Sequence, residues 1–307
     1  DRRARETKRE FFEKERGAQQ IANELRARGQ DAAAEGHALR LVELVAPLDG
    51  VAAELLERRP GQELVSAGLR TSLTEAGPQD PDRVAPPPPT DQILAHLDGL
   101  LDPASFADYC PNGLQVPGRE EVATLVTGVS AGAELFERAL EAGADAILVH
   151  HGLFWRGQDG RLTGWLGERV RRLMVQGVNL FAYHLPLDAH ADLGNNAQLG
   201  KLLGLTEHGR FGEQNMVCKG ALNVPQSLAQ FGLKIEQSLQ RKPQIIGDGE
   251  KMIRTVAWCG GGAQGYFKQA IAQGIDAYLT GEISEQNFHL ANETGVAFIA
   301  AGHHATE

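Results

Sequence analysis

LVTGVSAGAELFERALEAGADAILVHHG, Leu125 to Gly152, aligns without gaps on VAWCGGGAQGYFKQAIAQGIDAYLTGE, Val256 to Glu282, at a constant offset of 131. Phe136 meets Phe267, Gly143 meets Gly274 and Asp145 meets Asp276. Each copy reads as an apolar strand, a glycine-containing turn, an amphipathic helix stopped by glycine, and a second strand ending on polar residues. Those ends are His151 and Glu282. After each copy a further apolar strand opens with Gly-Val: GVNLFAYH from Gly177 and GVAFIAAGHH from Gly295. Each leads to a histidine with an acid four residues later, Asp188 after His184 and Glu307 after His303. Open α/β sheets collect their ligands at the carboxyl ends of strands, so two such halves predict one shared crevice. The expected fold is α/β, with two related βαβ-like halves sharing one metal-site crevice, a small inserted α+β domain and a helical N-terminal extension.

Outward from the repeat, the domain plan is as follows. Residues 1–87 are an extension with helical spacing at Gln19–Arg28 and Leu39–Arg59, the latter interrupted by Pro47 and Gly50. Their composition suits a solvated extension better than a docking helix pair. GPQDPDRVAPPPP, Gly77 to Pro89, is an extended linker. Residues 88–190 form the first half, 191–253 the inserted domain with a strand-like MVCKGALNV and a helix near Gln226–Leu239, and 254–307 the second half. The absence of an initiator Met before Asp1 predicts a natural start further upstream.

Composition excludes several classes. With 307 residues, 42% hydrophobic and 23% charged, the chain can bury a sizeable core. A net charge of -10 leaves no broad basic surface for nucleic acid. No apolar run approaches the roughly 18 residues of a membrane helix. Cys110, Cys218 and Cys259 are too scattered for a disulfide framework or a CxxC site, which points to a reducing cytoplasm.

His150 and His151 end the apolar run AILV, so a strand delivers adjacent imidazoles to its carboxyl edge. Neighbours on a strand face opposite ways, which suits two ions better than one. Five donors stand at strand ends: His150, His151, Asp188, His303 and Glu307. Imidazole with carboxylate matches two divalent ions of zinc, iron, manganese, cobalt or nickel, and so few donors leave positions open for water and substrate. Asp188 or Glu307 is the natural bridge. Each motif also has a plainer reading: Asp188 as a helix cap, Glu307 as the partner of His303 in an ordinary charge pair, the His-His pair as a chance neighbour. Their recurrence at matching strand ends favours the metal. Cys259–Gly262, CGGG, is either a phosphate-facing loop or a tight turn, and the lack of a Walker lysine favours the turn. His190, His208 and His304 read as surface or rim residues.

NGLQV (Asn112–Val116), HHGLFW (His150–Trp155), HLPLD (His184–Asp188), TGE (Thr280–Glu282) and GHHATE (Gly302–Glu307) together resemble the Nif-three-like dinuclear-metal family, also described as type 2 GTP cyclohydrolase I. The resemblance runs from about residue 88 to the end. It implies two divalent metals on His150, His151, Asp188, His303 and Glu307, a Glu307 bridge, and a toroidal homohexamer. It places His184 beside the metals, and Glu282, Glu285 and His289 behind the ligands. Gly152 stands where the family commonly has proline. The N-terminal segment has no family counterpart, and the family continues past the position of Glu307, which predicts a frayed terminal ligand here.

The activity expected is metal-dependent hydrolysis of a small nucleotide-like substrate, with His184 as the catalytic acid-base residue and GTP cyclohydrolase chemistry as its specific form. Phosphoester hydrolysis, or a non-catalytic metal-binding or assembly role, are the alternatives.

Overall fold

The computed structural model describes residues 40–43 and 87–307. The expected helix at 19–28, and the linker as far as 86, lie outside the described residues. Two sheets carry the fold. The first has the order β1 (Arg40–Glu43), β3 (Thr124–Ser130), β4 (Ala146–His151), β5 (Asn179–Ala182), β2 (Gly113–Val116). All run parallel except β2, which closes the β5 edge antiparallel. The second has the order β6 (Leu205–Phe211), β7 (Val217–Ser227), β9 (Met252–Trp258), β10 (Ala277–Thr280), β11 (Ala297–Ala300), β8 (Gln244–Ile246). Here β9, β10 and β11 are parallel, and β8 lies antiparallel on β11 as β2 does on β5.

Helices cover both faces, which is why the parallel strands read as unbroken apolar runs. On one face of the first sheet, Leu135 and Phe136 of α2 (Ala133–Glu141) and Val170 of α3 (Gly164–Gln176) pack on Val126, Ile147 and Val149. On the other, Ile93 and Leu97 of α1 (Thr90–Leu101) meet Leu125, Leu148 and Phe181. This alternation along β4 carries over to its end: His151 continues the series of Ile147 and Val149, and His150 that of Ala146 and Leu148.

The repeat has a structural cause. The Asp145 carboxylate accepts the amides of Ala123 and Thr124, both at 2.9 Å, and the Asp276 carboxylate accepts those of Arg254 and Thr255 at the same distances. Each aspartate, one residue before its own strand, thus ties that strand to its neighbour. Gly143 (φ 71°) and Gly274 (φ 66°) take the left-handed turn out of the preceding helix, a conformation that costs other residues free energy.

Two expectations change. Of the stretch Leu39–Arg59, expected to be helical, only Arg40–Glu43 lies within the described residues, and it is a strand paired with Thr124–Thr127: a short run near an open parallel edge gains hydrogen bonds that outweigh its helix propensity. Residues 191–253, expected as a small inserted α+β domain, supply β6, β7 and β8 to the same sheet as β9–β11. Three parallel strands alone would leave two unpaired edges, and these segments satisfy both. The expected helix near Gln226–Leu239 is α6 (Leu228–Leu239), capped by Ser227 and packed through Phe231 and Ile235 beneath the second sheet.

Candidate metal centre

The carboxyl ends of β4 and β5, and the turn after β11, bring the expected donors together. His150, buried at the end of β4, offers Nδ1 to the Tyr183 carbonyl at 3.1 Å. Its Nε2 stands 3.6 Å from Asp188 Oδ1 and 3.8 Å from Glu307 Oε1. His151 Nδ1 is 3.0 Å from Ser130 Oγ, and its Nε2 is 3.1 Å from Glu307 Oε2. His303 sets Nδ1 against Glu282 Oε1 at 2.7 Å and Nε2 against Glu307 Oε2 at 3.2 Å. Asp188, in the short helix α4 (Leu185–Ala189), accepts from Asn195 Nδ2 at 2.8 Å. In all three imidazoles Nδ1 is held from behind and Nε2 faces the cluster, the arrangement by which outer partners aim metal-ligating histidines.

Two triads result: His150, Asp188 and Glu307, and His151, His303 and Glu307, the ligand atoms of each lying within 4.8 Å of one another. Glu307 Oε1 faces the first and Oε2 the second. Donors bound about 2.0–2.2 Å from a tetrahedral ion stand roughly 3.3–3.6 Å apart, and the measured separations of 3.1–3.8 Å bracket that range. His150 Nε2 and Glu307 Oε2 are buried without a hydrogen-bond partner. Orphaned polar atoms are costly inside a protein, and an ion would satisfy both. The residues fit the metal.

Electrostatics agree. Burial alone would depress His150, but Asp188 and Glu307 override it and raise its pKa to about 9. Glu307, and Glu282 behind it, raise His303 to about 9 against the effect of burial. Burial and the charge of Glu307 push Asp188 up, while Glu307, though buried, is held well below the carboxylate range by His150, His151 and His303.

His184 lies beside this cluster. One of its ring nitrogens is within 4.8 Å of those of His150 and His151, and its Nδ1 pairs with Asp108 Oδ1 at 2.7 Å. Asp108 also accepts from the Leu185 amide at 2.8 Å and Asn112 Nδ2 at 3.0 Å. Burial opposes ionisation of Asp108, but His184, Asn112 and Leu185 bring its pKa down to about 2. Asp108 is therefore a fixed anion that orients His184.

The glycine turn after β9 lets Glu307 in. A Cβ on Gly261 (φ +61°) would fall 2.1 Å from Glu307 Oε1. Three amides here are engaged: Gly260 donates to Asn196 Oδ1 at 2.8 Å, Gly261 to Thr306 Oγ1 at 3.0 Å and Ala263 to Thr280 Oγ1 at 3.2 Å. The close approach of Glu307 gives the turn reading of CGGG a structural reason. Glu307 is held within this turn, its side chain 4% exposed, where fraying was expected.

Glu282 backs His303, whereas Glu285 and His289 lie exposed on α7 (Glu285–Thr294). His208 is exposed on β6, and His190 uses Nδ1 to accept the amides of Asp192 and Leu193. Sequence reasoning missed Asp108, Ser130 and Asn195. Asp108 stands four residues before Asn112 of NGLQV, the one local hint.

Residues 89–307 match the family model described as Duf34/NIF3 (NGG1p interacting factor 3). A Neisseria meningitidis protein named GTP cyclohydrolase 1 type 2 homolog is 55% identical over 215 residues, covering 70% of this chain and 86% of that one. Namesakes from Pseudomonas aeruginosa and Escherichia coli K12 are 48% identical (70% and 86% covered) and 47% identical (67% and 83% covered). Among solved structures, protein ybgI, of unknown function, is similar at TM-score 0.69 and 44% identity, over 71% of this chain and 88% of that one. TTHA1606 from Thermus thermophilus is similar at TM-score 0.65 and 33% identity, with coverage of 71% and 88%. With the match running from residue 89 to Glu307 and relatives near half identical, this chain belongs to the Duf34/NIF3 family.

Proposed function

We propose that the centre would hold two divalent ions of zinc, iron, manganese, cobalt or nickel, with Glu307 shared between the two donor triads, and that it hydrolyses a small nucleotide-like substrate. The observation that carries this reading is the division of Glu307 between the triads, one oxygen toward each. Bound ions would lower the pKa of water and polarise the group attacked. The chain's own part is positional: Tyr183, Ser130 and Glu282 fix the imidazoles, and Asp108 holds Nδ1 of His184, leaving its Nε2 to take and return a proton. GTP cyclohydrolase chemistry, named in the curated relatives, is the specific form proposed. A cytoplasmic site of action belongs to the proposal, supported by three buried, unpaired cysteines. A homohexamer belongs to it on family resemblance alone.

Metal analysis and turnover test the reading together. The full chain should carry close to two equivalents, turn over GTP, and lose activity on chelation. His303→Ala should remove about one equivalent and Glu307→Gln most of both. Turnover of model phosphodiesters instead of GTP would favour a phosphoester hydrolase, and metal without turnover a binding or assembly factor. A single equivalent after reconstitution would remove the dinuclear centre.

A further inference from the structure

The metal centre opens at His303. The side chains of His303 and Glu282 are 41% and 45% exposed, against 3% for His150 and 4% for Glu307, so a substrate reaches the donors past His303.

Arg241 stands at that opening. β8 runs antiparallel to β11 with Gln244 opposite Ala300, so the residues before β8 pass alongside those after β11, where Gly302 leads into His303. Pro243 is buried and Arg241 exposed, which anchors the segment and leaves the arginine at the surface. A Cβ on Gly302 (φ +98°) would collide with Arg241 Nε and Cδ and lie 3.0 Å from its Cζ. The side chain is therefore laid across the bare backbone of the residue before His303, a path that glycine leaves clear.

A plainer account is that a cation just beyond α6 complements the helix dipole. That explains a positive charge here but not its direction, because among the described residues no carbonyl or carboxylate accepts a hydrogen bond from Arg241. Its donors are left for a ligand. Asp108, Asp188, Glu282 and Glu307 surround the centre and repel an incoming anion. Bound ions would offset Asp188 and Glu307, yet Glu282 at the opening would still oppose it. An anionic substrate needs a cation at this entrance, and a guanidinium offers a fork that matches phosphate oxygens in pairs.

We propose that Arg241 binds a phosphate of the substrate at the entrance and so sets which end of the molecule reaches the metals. That the substrate carries phosphate rests on the nucleotide-like reading above. Anion binding by Arg241 requires no turnover, so the two can fail separately.

The probe is inorganic pyrophosphate, titrated calorimetrically into the full chain, with metal content measured before and after. Arg241→Gln should weaken binding about 10- to 100-fold, the loss of a charge-assisted contact to phosphate. Arg241→Lys keeps the charge without the fork and should recover part of that loss. Arg254→Gln removes the same charge at the opposite, amino end of β9 and should change nothing. In GTP turnover Arg241→Gln should raise KM and leave kcat nearly unchanged, the mark of a contact made equally before and during reaction. Undiminished pyrophosphate binding by Arg241→Gln, an equal loss in Arg254→Gln, or metal lost from Arg241→Gln overturns the proposal, the last by making Arg241 a prop for His303. If Arg241→Gln binds pyrophosphate normally while two metals and GTP turnover persist, the hydrolase reading stands without the arginine. Pyrophosphate held by Arg241 in a chain that hydrolyses nothing keeps the anion site and removes the hydrolase.

Discussion

Asn195 and Asn196, neighbours at the start of α5 (Asn195–Leu202), grip opposite sides of the donor cluster. Asn195 Nδ2 donates to Asp188 Oδ1 at 2.8 Å, and Asn196 Oδ1 accepts the Gly260 amide at 2.8 Å. Gly260 precedes the glycine against which Glu307 packs. Asn196 also donates to the Met216 carbonyl, and its own carbonyl receives Trp258 Nε1. One helix terminus therefore sets the separation between Asp188 and Glu307.

Asn195→Ala should loosen Asp188 and weaken metal affinity roughly 10- to 100-fold, the usual cost of losing an outer partner of a ligand. Asn196→Ala leaves buried groups unpaired and should cost stability as well, about 1–3 kcal/mol for each orphaned group. Calorimetric metal titration and denaturant unfolding separate the two. Equal stability losses with unchanged metal affinity in both variants would refute the spacer role.

Metal uptake should depend on pH in a direction fixed by His150 and His303. In the metal-free chain each has a pKa of about 9, raised by facing carboxylates, so each holds a proton at pH 7. An ion needs the lone pair on Nε2 and must expel that proton. Apparent affinity should then rise from pH 7 toward pH 9 and level off above it, with about two protons released per chain at pH 7. Titrations in buffers of different ionisation enthalpy read the protons directly. No release would show that these imidazoles are not the ligands.

His184→Gln should keep the metals while turnover falls about 100- to 10,000-fold, the range of general acid-base help. Asp108→Asn should act in the same direction, because an amide cannot fix the His184 tautomer as a carboxylate does. If instead His184→Gln loses metal in proportion to activity, His184 serves only to hold the cluster together.

Removing residues 1–87 should spare the metal centre, since its donors all lie between His150 and Glu307. It also removes β1, the strand that pairs with the edge of β3. The shortened chain should bind metal normally and associate more readily through that exposed edge. Sedimentation velocity beside metal analysis checks both, and lost metal in a folded chain would count against the independence of the site.

The parts legible in the sequence were those set by local chemistry repeated twice. Gly143 with Gly274, and Asp145 with Asp276, do the same job in each half, so the alignment carried real structural information. The convergence of His150, His151, Asp188, His303 and Glu307 was foreshadowed for the same reason, because each follows an apolar run that gives way to polar residues. What escaped depended on distant pairing. Nothing near Leu41 or Val42 signals the β3 edge more than 80 positions away, and β6 to β8 look like a separate unit until their partners β9 and β11 are placed. Asp108 sits in a loop with no periodicity and meets His184 through the fold, at a separation of 76 residues.

Positions 151 and 282 are equivalents under the repeat, yet His151 aims at the cluster and Glu282 stands behind His303. The aspartate and glycine that keep the two scaffolds alike touch none of the donors. Architecture and reactivity are thus inherited on separate letters of the same segment. That is the condition under which a tandem copy can keep its shape under selection while its strand-end side chains diverge. An asymmetric site can in this way descend from a symmetric ancestor without passing through an unfolded one.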